Sequence, residues 1–140
     1  MSRFKHIIDQ DPQEVQQQNL PPDWPKVFPK PIVGLDRDGV INIDRGSYIT
    51  DPNDWEPIEG SLEAIRKLRL KGYKVVILTN QGGIIKKEQT HEQVEAIHQR
   101  MFEVFGNAGI YSIDGLFYSE SSLKNDIFAK PNLGMFHRAE

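Results

Sequence analysis

Asp36 and Asp38 stand two apart, directly after the apolar run Ile32-Val33-Gly34-Leu35 and just before Gly39. In extended backbone, residues two apart point to the same side, so this spacing aims both carboxylates at one spot. Gly39 then permits a tight departure of the chain. Two like charges that close require a cation, a proton or a structural partner. A solvated acidic turn has the same local sequence. A second polar cluster, Thr79-Asn80-Gln81-Gly82-Gly83, follows another apolar run, Val75-Val76-Ile77-Leu78. Its hydroxyl, amides and exposed backbone donors suit phosphate oxygens. Thr and Asn are also common where any strand enters a loop. Lys130, before Pro131, offers a point charge for a phosphate. Taken alone, a solvent-exposed lysine is the commoner reading of such a residue.

These groups need elements to position them. Ile32–Leu35, Lys74–Thr79 and Leu116–Tyr118 read as buried strands, the second being a continuous run suited to a sheet covered on both faces. Glu59–Lys71 reads as a helix, with Leu62, Ile65 and Leu68 on one face and Gly72 as its stop. Thr90 and Gln93 have capping-box spacing and open a second helix. Val94, Ile97, Met101, Phe105 and Ala108 line one face of it, and Gly109 ends it. A further helix is expected to begin near Asn132. Strand alternating with helix predicts an α/β fold, a Rossmann-like parallel sheet flanked by helices with right-handed crossovers. In such sheets ligands gather beyond the carboxyl ends of the strands, where both polar clusters stand.

Residues 1–30 read as a Pro/Gln-rich arm ahead of a domain over 31–140. Pro21, Pro22, Pro25, Pro29 and Pro31 resist helix and central strand, while Trp24, Val27 and Phe28 are candidates to pin the arm. The chain has 140 residues, 38% hydrophobic and 26% charged, with net charge −3, which fits one packed soluble domain. That charge gives no basic stripe for nucleic acid. Cysteine is absent, which excludes disulfides and thiolate metal sites. The polar start of the chain is unlike a secretory signal, and no apolar run approaches the roughly 20 residues of a membrane span. A cytoplasmic monomer without membrane contact is expected. His91, Glu95 and His98 fall on adjacent helical turns and read as a solvated face rather than a metal site. Lys86 and Lys87 read as loop-exposed, and Trp55 as packing.

As a set, several blocks resemble the haloacid-dehalogenase-like phosphatases, in the branch holding histidinol-phosphate and heptose 1,7-bisphosphate phosphatases. They are Leu35-Asp36-Arg37-Asp38-Gly39-Val40-Ile41-Asn42, Gly46-Ser47-Tyr48-Ile49, Trp55-Glu56-Pro57-Ile58-Glu59-Gly60-Ser61, Gly72-Tyr73, Leu78-Thr79-Asn80-Gln81-Gly82-Gly83-Ile84 and Lys130-Pro131-Asn132-Leu133-Gly134-Met135. They keep the family's order across most of the chain. The resemblance implies Asp36 as nucleophile on phosphorus and Asp38 as general acid, then base. It implies Mg²⁺ on the Asp36 carboxylate and Asp38 backbone carbonyl. Thr79 and Asn80 would bind the phosphoryl oxygens, and Lys130 would neutralise them. Residues 42–54 would form a flap, with Arg45, Ser47, Tyr48 and the nearby Gln81 as substrate contacts. The expected substrate is a small phosphorylated metabolite.

The chain departs from the family pattern in three places. The family's late acidic motif would lie beyond Glu140, so the C-terminal strands are expected to be missing and Mg²⁺ to lack one ligand. Residues 119–128 carry no Cys or His, so no structural zinc is expected. Ala129 stands where the family usually has arginine. These departures keep two other readings open: an impaired remnant or phosphate-binding module, and a polynucleotide 3′-phosphatase.

Overall fold

A computed structural model describes residues 4–6, 21–25 and 27–120. Lys130, Ala129 and the helix expected near Asn132 lie outside the described residues. The three apolar runs become strands β2 (Ile32–Leu35), β3 (Lys74–Asn80) and β4 (Gly115–Ser119), preceded by a short β1 (Phe4–His6). They form one sheet in the order β1-β4-β3-β2. The pairs β2–β3 and β3–β4 are parallel, whereas β1 pairs antiparallel with β4. A strand within residues 1–30 departs from the extended arm expected there. Phe4–His6 is too short to show a periodicity, and its pairing is decided by the edge that β4 offers.

Helix α1 (Ser61–Leu70) connects β2 to β3, and α2 (His91–Asn107) connects β3 to β4. Both begin and end within two residues of the sequence expectation. In α2 the Gln93 amide N–H donates to Thr90 Oγ1 at 3.1 Å, and the Thr90 N–H donates to Gln93 Oε1 at 2.9 Å. This satisfies two donors that a helix start leaves free. The stop at Gly109 has φ 84°, and a Cβ there would meet Arg66 Nε at 2.9 Å, so glycine is required. Ala108 is the cap residue of α2 rather than part of its apolar face.

Side chains alternate across β3 with period two. Val75 and Ile77 join Ile65, Val94, Ile97, Met101, Phe105 and Tyr118 in the core between sheet and helices. Val76 and Leu78 face the other way and pack with Phe117. Trp55 is buried in the first cluster. No helix among the described residues is long and apolar enough to cross a membrane.

The segment before β2 is fastened at the amino-terminal ends of β3 and β4. Arg69, at the end of α1, pairs with Asp114, and its Nη2 donates to Ser112 Oγ at 2.6 Å. Asp114 Oδ2 accepts from the Val75 amide at 2.7 Å. Trp24 is buried and donates through Nε1 to the same Ser112 Oγ at 3.1 Å. The Arg69 guanidinium sits 3.6 Å from the centre of the Phe28 ring. Trp24 and Phe28 therefore act as pins, but Val27 does not, being 76% exposed.

Candidate active site

Asp36 is the first residue past β2 and is exposed, its Oδ1 accepting from the Arg37 amide at 2.8 Å. The chain then turns sharply around one carbonyl. The amides of Val40, Ile41 and Asn42 donate to Arg37 O at 3.2, 2.8 and 3.1 Å, and Gly39 donates to Asn42 O at 2.8 Å. Gly39 has φ 83°, the left-handed region this turn needs. The turn drives the Arg37 side chain fully inside, at 0% exposure.

There its guanidinium grips Asp38. Asp38 Oδ1 accepts from Arg37 Nη2 at 2.8 Å, Arg37 Nε at 3.0 Å and Asn42 Nδ2 at 3.0 Å. Asp38 Oδ2 accepts from Gln81 Nε2 at 3.2 Å, and the same nitrogen donates to Thr79 Oγ1 at 2.9 Å. One buried amide thus ties the end of β3 to the loop after β2. Burial alone would push the Asp38 carboxyl up; the Arg37 charge and the bonds from Asn42, Arg37 and Gln81 outweigh it and hold the group below its ordinary range.

Thr79 is buried and Asn80 half-buried at the mouth of β3. The flap contacts stand apart from this knot. Residues 41–43 and 56–58 form the flap's stem, with Ile43 N donating to Glu56 O and Ile58 N to Ile41 O, both at 2.9 Å. Arg45 is exposed and faces Asp54, Nη1 to Oδ1 at 3.6 Å. Ser47 is exposed, and Tyr48 is half-buried with Lys86 Nζ 5.7 Å from its ring centre. Lys86 and Lys87 are exposed, as read. Gln89 Nε2 donates to Ile49 O at 3.3 Å, fastening the flap to the loop after β3.

Two residues of the knot were not expected there from sequence. Arg37 Nη1 lies 3.0 Å from His98 Nε2. His98 is 1% exposed, which overturns the reading of His91, Glu95 and His98 as one solvated face. The signal was present: His98 is four residues from Val94 and three from Met101, on the stripe that faces the core. Arg37 carried no such signal, because the sharp turn after Asp36, and not the alternation of an extended strand, sends its side chain inside. Burial, then the Arg37 charge, holds the His98 pKa well below its usual value, so the ring is neutral. His91 instead bridges Glu120 Oε1 (2.8 Å) and the Tyr118 hydroxyl (3.1 Å).

Among the described residues no three His, Cys, Asp or Glu side chains form a metal-holding group. The site does offer hard oxygen donors: the carboxylate of the exposed Asp36 and, in the turn beside it, the backbone carbonyl of Asp38, whereas the Arg37 and Asn42 carbonyls are taken up by the turn's own amides. Mg²⁺ is typically held by one or two carboxylates together with water and substrate phosphate, and these donors fit that type of site. Asp38 Oδ1, with three donors already, does not add to it.

A family model described as polynucleotide kinase 3 phosphatase matches residues 31–140. The chain is 38% identical to D-glycero-beta-D-manno-heptose-1,7-bisphosphate 7-phosphatase of Vibrio cholerae, over 76% of this chain and 61% of that protein. It is 36% identical to the enzyme of the same name from Neisseria meningitidis serogroup A, over 74% of this chain and 56% of that protein. The crystal structure of D,D-heptose 1,7-bisphosphate phosphatase from B. bronchiseptica, complexed with magnesium and phosphate, matches with TM-score 0.71 at 30% identity. That match covers 78% of this chain and 61% of the other. The chain therefore spans less than two thirds of these relatives. Their names favour the heptose side of the resemblance over the histidinol side.

Proposed function

The chain belongs to the polynucleotide kinase 3 phosphatase family, and from that membership together with its likeness to heptose bisphosphate phosphatases we propose that its site hydrolyses a phosphate monoester of a small sugar metabolite, foremost a heptose bisphosphate. The observation that carries the reading is the Gln81 amide joining Asp38 to Thr79. It gathers both polar strand ends at one mouth of the sheet, with the Asp36 carboxylate exposed there.

In this reading an Asp36 oxygen attacks phosphorus in line, and the bond from phosphorus to the ester oxygen breaks. The leaving alkoxide takes a proton from Asp38. Water then attacks the aspartyl-phosphate, giving its proton to Asp38, and phosphate leaves with Asp36 restored. The covalent stage divides one hard displacement into two easier ones. Thr79, Asn80 and Lys130 hold and neutralise the phosphoryl oxygens, the positioning and electrostatic work on which phosphoryl transfer depends. Mg²⁺, where held by the Asp36 carboxylate and Asp38 carbonyl, would screen the repulsion between nucleophile and substrate. Arg45, Ser47 and Tyr48 on the flap select the rest of the substrate. The resting Asp38 is ionised, ready as a base. Its work as an acid therefore needs the negative charge of bound phosphate, which raises the pKa of a neighbouring carboxyl.

A second reading, a polynucleotide 3′-phosphatase, shares the wording of the family model's description. The net charge of −3 opposes it, since polynucleotide binding draws on clustered positive charge. One assay with Mg²⁺ compares heptose 1,7-bisphosphate with a 3′-phosphorylated oligonucleotide. Faster release from the sugar is expected, and Asp36→Asn should reduce it to background. Faster release from the oligonucleotide would select the second reading. Binding of phosphate esters without turnover would leave a phosphate-binding module.

A further inference from the structure

We propose that His98 is a positioning residue for proton transfer: by holding the Arg37 guanidinium it fixes Asp38 Oδ1 and leaves Oδ2 as the oxygen that carries the proton. This rests on the reading of Asp38 as acid and base. The two oxygens of Asp38 are unequal. Among the described residues Oδ1 faces three N–H donors at 2.8 to 3.0 Å, whereas Oδ2 faces one at 3.2 Å. A proton placed on Oδ1 would point at hydrogens already aimed at it, so the carboxyl protonates on Oδ2.

That asymmetry depends on where the guanidinium lies. Arg37 is planar, with donors in a rigid fork. Nε and Nη2 are committed to Asp38, and Nη1 is 3.0 Å from His98 Nε2. His98 accepts that bond only as a neutral ring protonated on Nδ1. Its ring packs against Tyr118, with centres 5.5 Å apart at 59°, and Tyr118 is in turn held at its hydroxyl by His91. The imidazole thus has a fixed place on α2, and it passes that placement through Arg37 to Asp38. His98 also carries a cost. Among the described residues its buried Nδ1 has no hydrogen-bond partner, and a buried polar group left so is destabilising. A leucine at this core position of α2 would avoid that cost, yet could not accept from Arg37.

The test uses the full chain with Mg²⁺ and two esters. In p-nitrophenyl phosphate the leaving group departs without a proton; in an alkyl phosphate it needs one. His98→Met removes the acceptor, and His98→Gln keeps one. His98→Met should lower kcat on the alkyl ester about tenfold, a fraction of the range general acids supply, with KM little changed and a smaller loss on the aryl ester. His98→Gln should recover most of the alkyl rate. Equal losses on both esters, or no loss in His98→Met, would overturn the proposal. Should His98→Met not fold, Arg37→Lys, which keeps the charge but loses the fork, must show the same dependence on leaving group, and equal losses again reject it. Should the unaltered chain turn over neither ester, the phosphatase reading fails by itself. The placement is then read by NMR: the Arg37 Nε–H should exchange slowly with water in the unaltered chain and His98→Gln, and at least about tenfold faster in His98→Met (roughly 1.4 kcal/mol of opening free energy). Unchanged exchange would overturn it.

Discussion

The buried His98 ring sets a pH limit on the fold. Its folded pKa lies well below the ordinary 6.5. Below about pH 6.5 the unfolded chain binds a proton that the folded chain refuses, so stability is full above that pH and falls as pH drops. One proton gives a slope of up to about 1.4 kcal/mol per pH unit. Urea melts between pH 7 and 5 should therefore fall less steeply for His98→Gln than for the unaltered chain. His91 and Glu120 are present in both proteins and cancel in the difference; parallel curves would contradict the neutral ring. Asp38 acts in a separate window. Its pKa is lowered from 3.8, so its contribution is present above that value and is lost only as pH falls below it. At this scale the sequence was half legible. The period-two rule marked Asp36 and Asp38 as candidates, and the strand end marked Thr79. His98 fits two helical stripes, one with His91 and Glu95 and one with Val94 and Met101, and only packing against Tyr118 and Arg37 selects the second.

Between residues and whole fold lie the flap and the loop after β3, and Gly83 controls how they meet. A Cβ on Gly83 would collide with Gln89 Cγ. Gln89 is buried and donates to Ile49 O in the flap, so it has little room to give. Gly83→Ala should displace Gln89 and release the flap, costing about 1–3 kcal/mol of stability as an overpacked site does. Amide exchange across residues 43–56 should quicken more than exchange in β3, whereas equal protection in both proteins would show that Gln89 is no fastener. The elements themselves were easy to read. Continuous apolar runs marked the parallel strands, and Thr90, Gln93 and Gly109 marked the ends of α2. The flap's ties were not readable, because a Gln side chain reaching a carbonyl 40 residues away leaves no local pattern. The same holds for β1, whose three residues take their conformation from the edge of β4.

Across the described residues the sheet separates the candidate site from the fastening of the segment before β2. Asp36, Asp38, Thr79 and Gln81 gather at its carboxyl end, while Trp24, Phe28, Arg69, Ser112 and Asp114 gather at its amino end. The two groups share β3, whose seven residues span the distance between them. Removing Trp24 empties a buried aromatic site and leaves Ser112 Oγ with one donor fewer. Trp24→Ala should therefore cost about 3 kcal/mol, the lower end for a buried aromatic. The damage lies at the end of the sheet remote from the bonds that hold Asp38, so kcat and KM per folded molecule should stay within about twofold, since distant sites with no shared partners behave independently. Denaturant melts paired with single-substrate kinetics separate the two effects. A loss of kcat in protein still folded would mean that the fastening at one end of β3 sets the geometry at the other, and the segment before β2 would then belong to the catalytic apparatus rather than to its support.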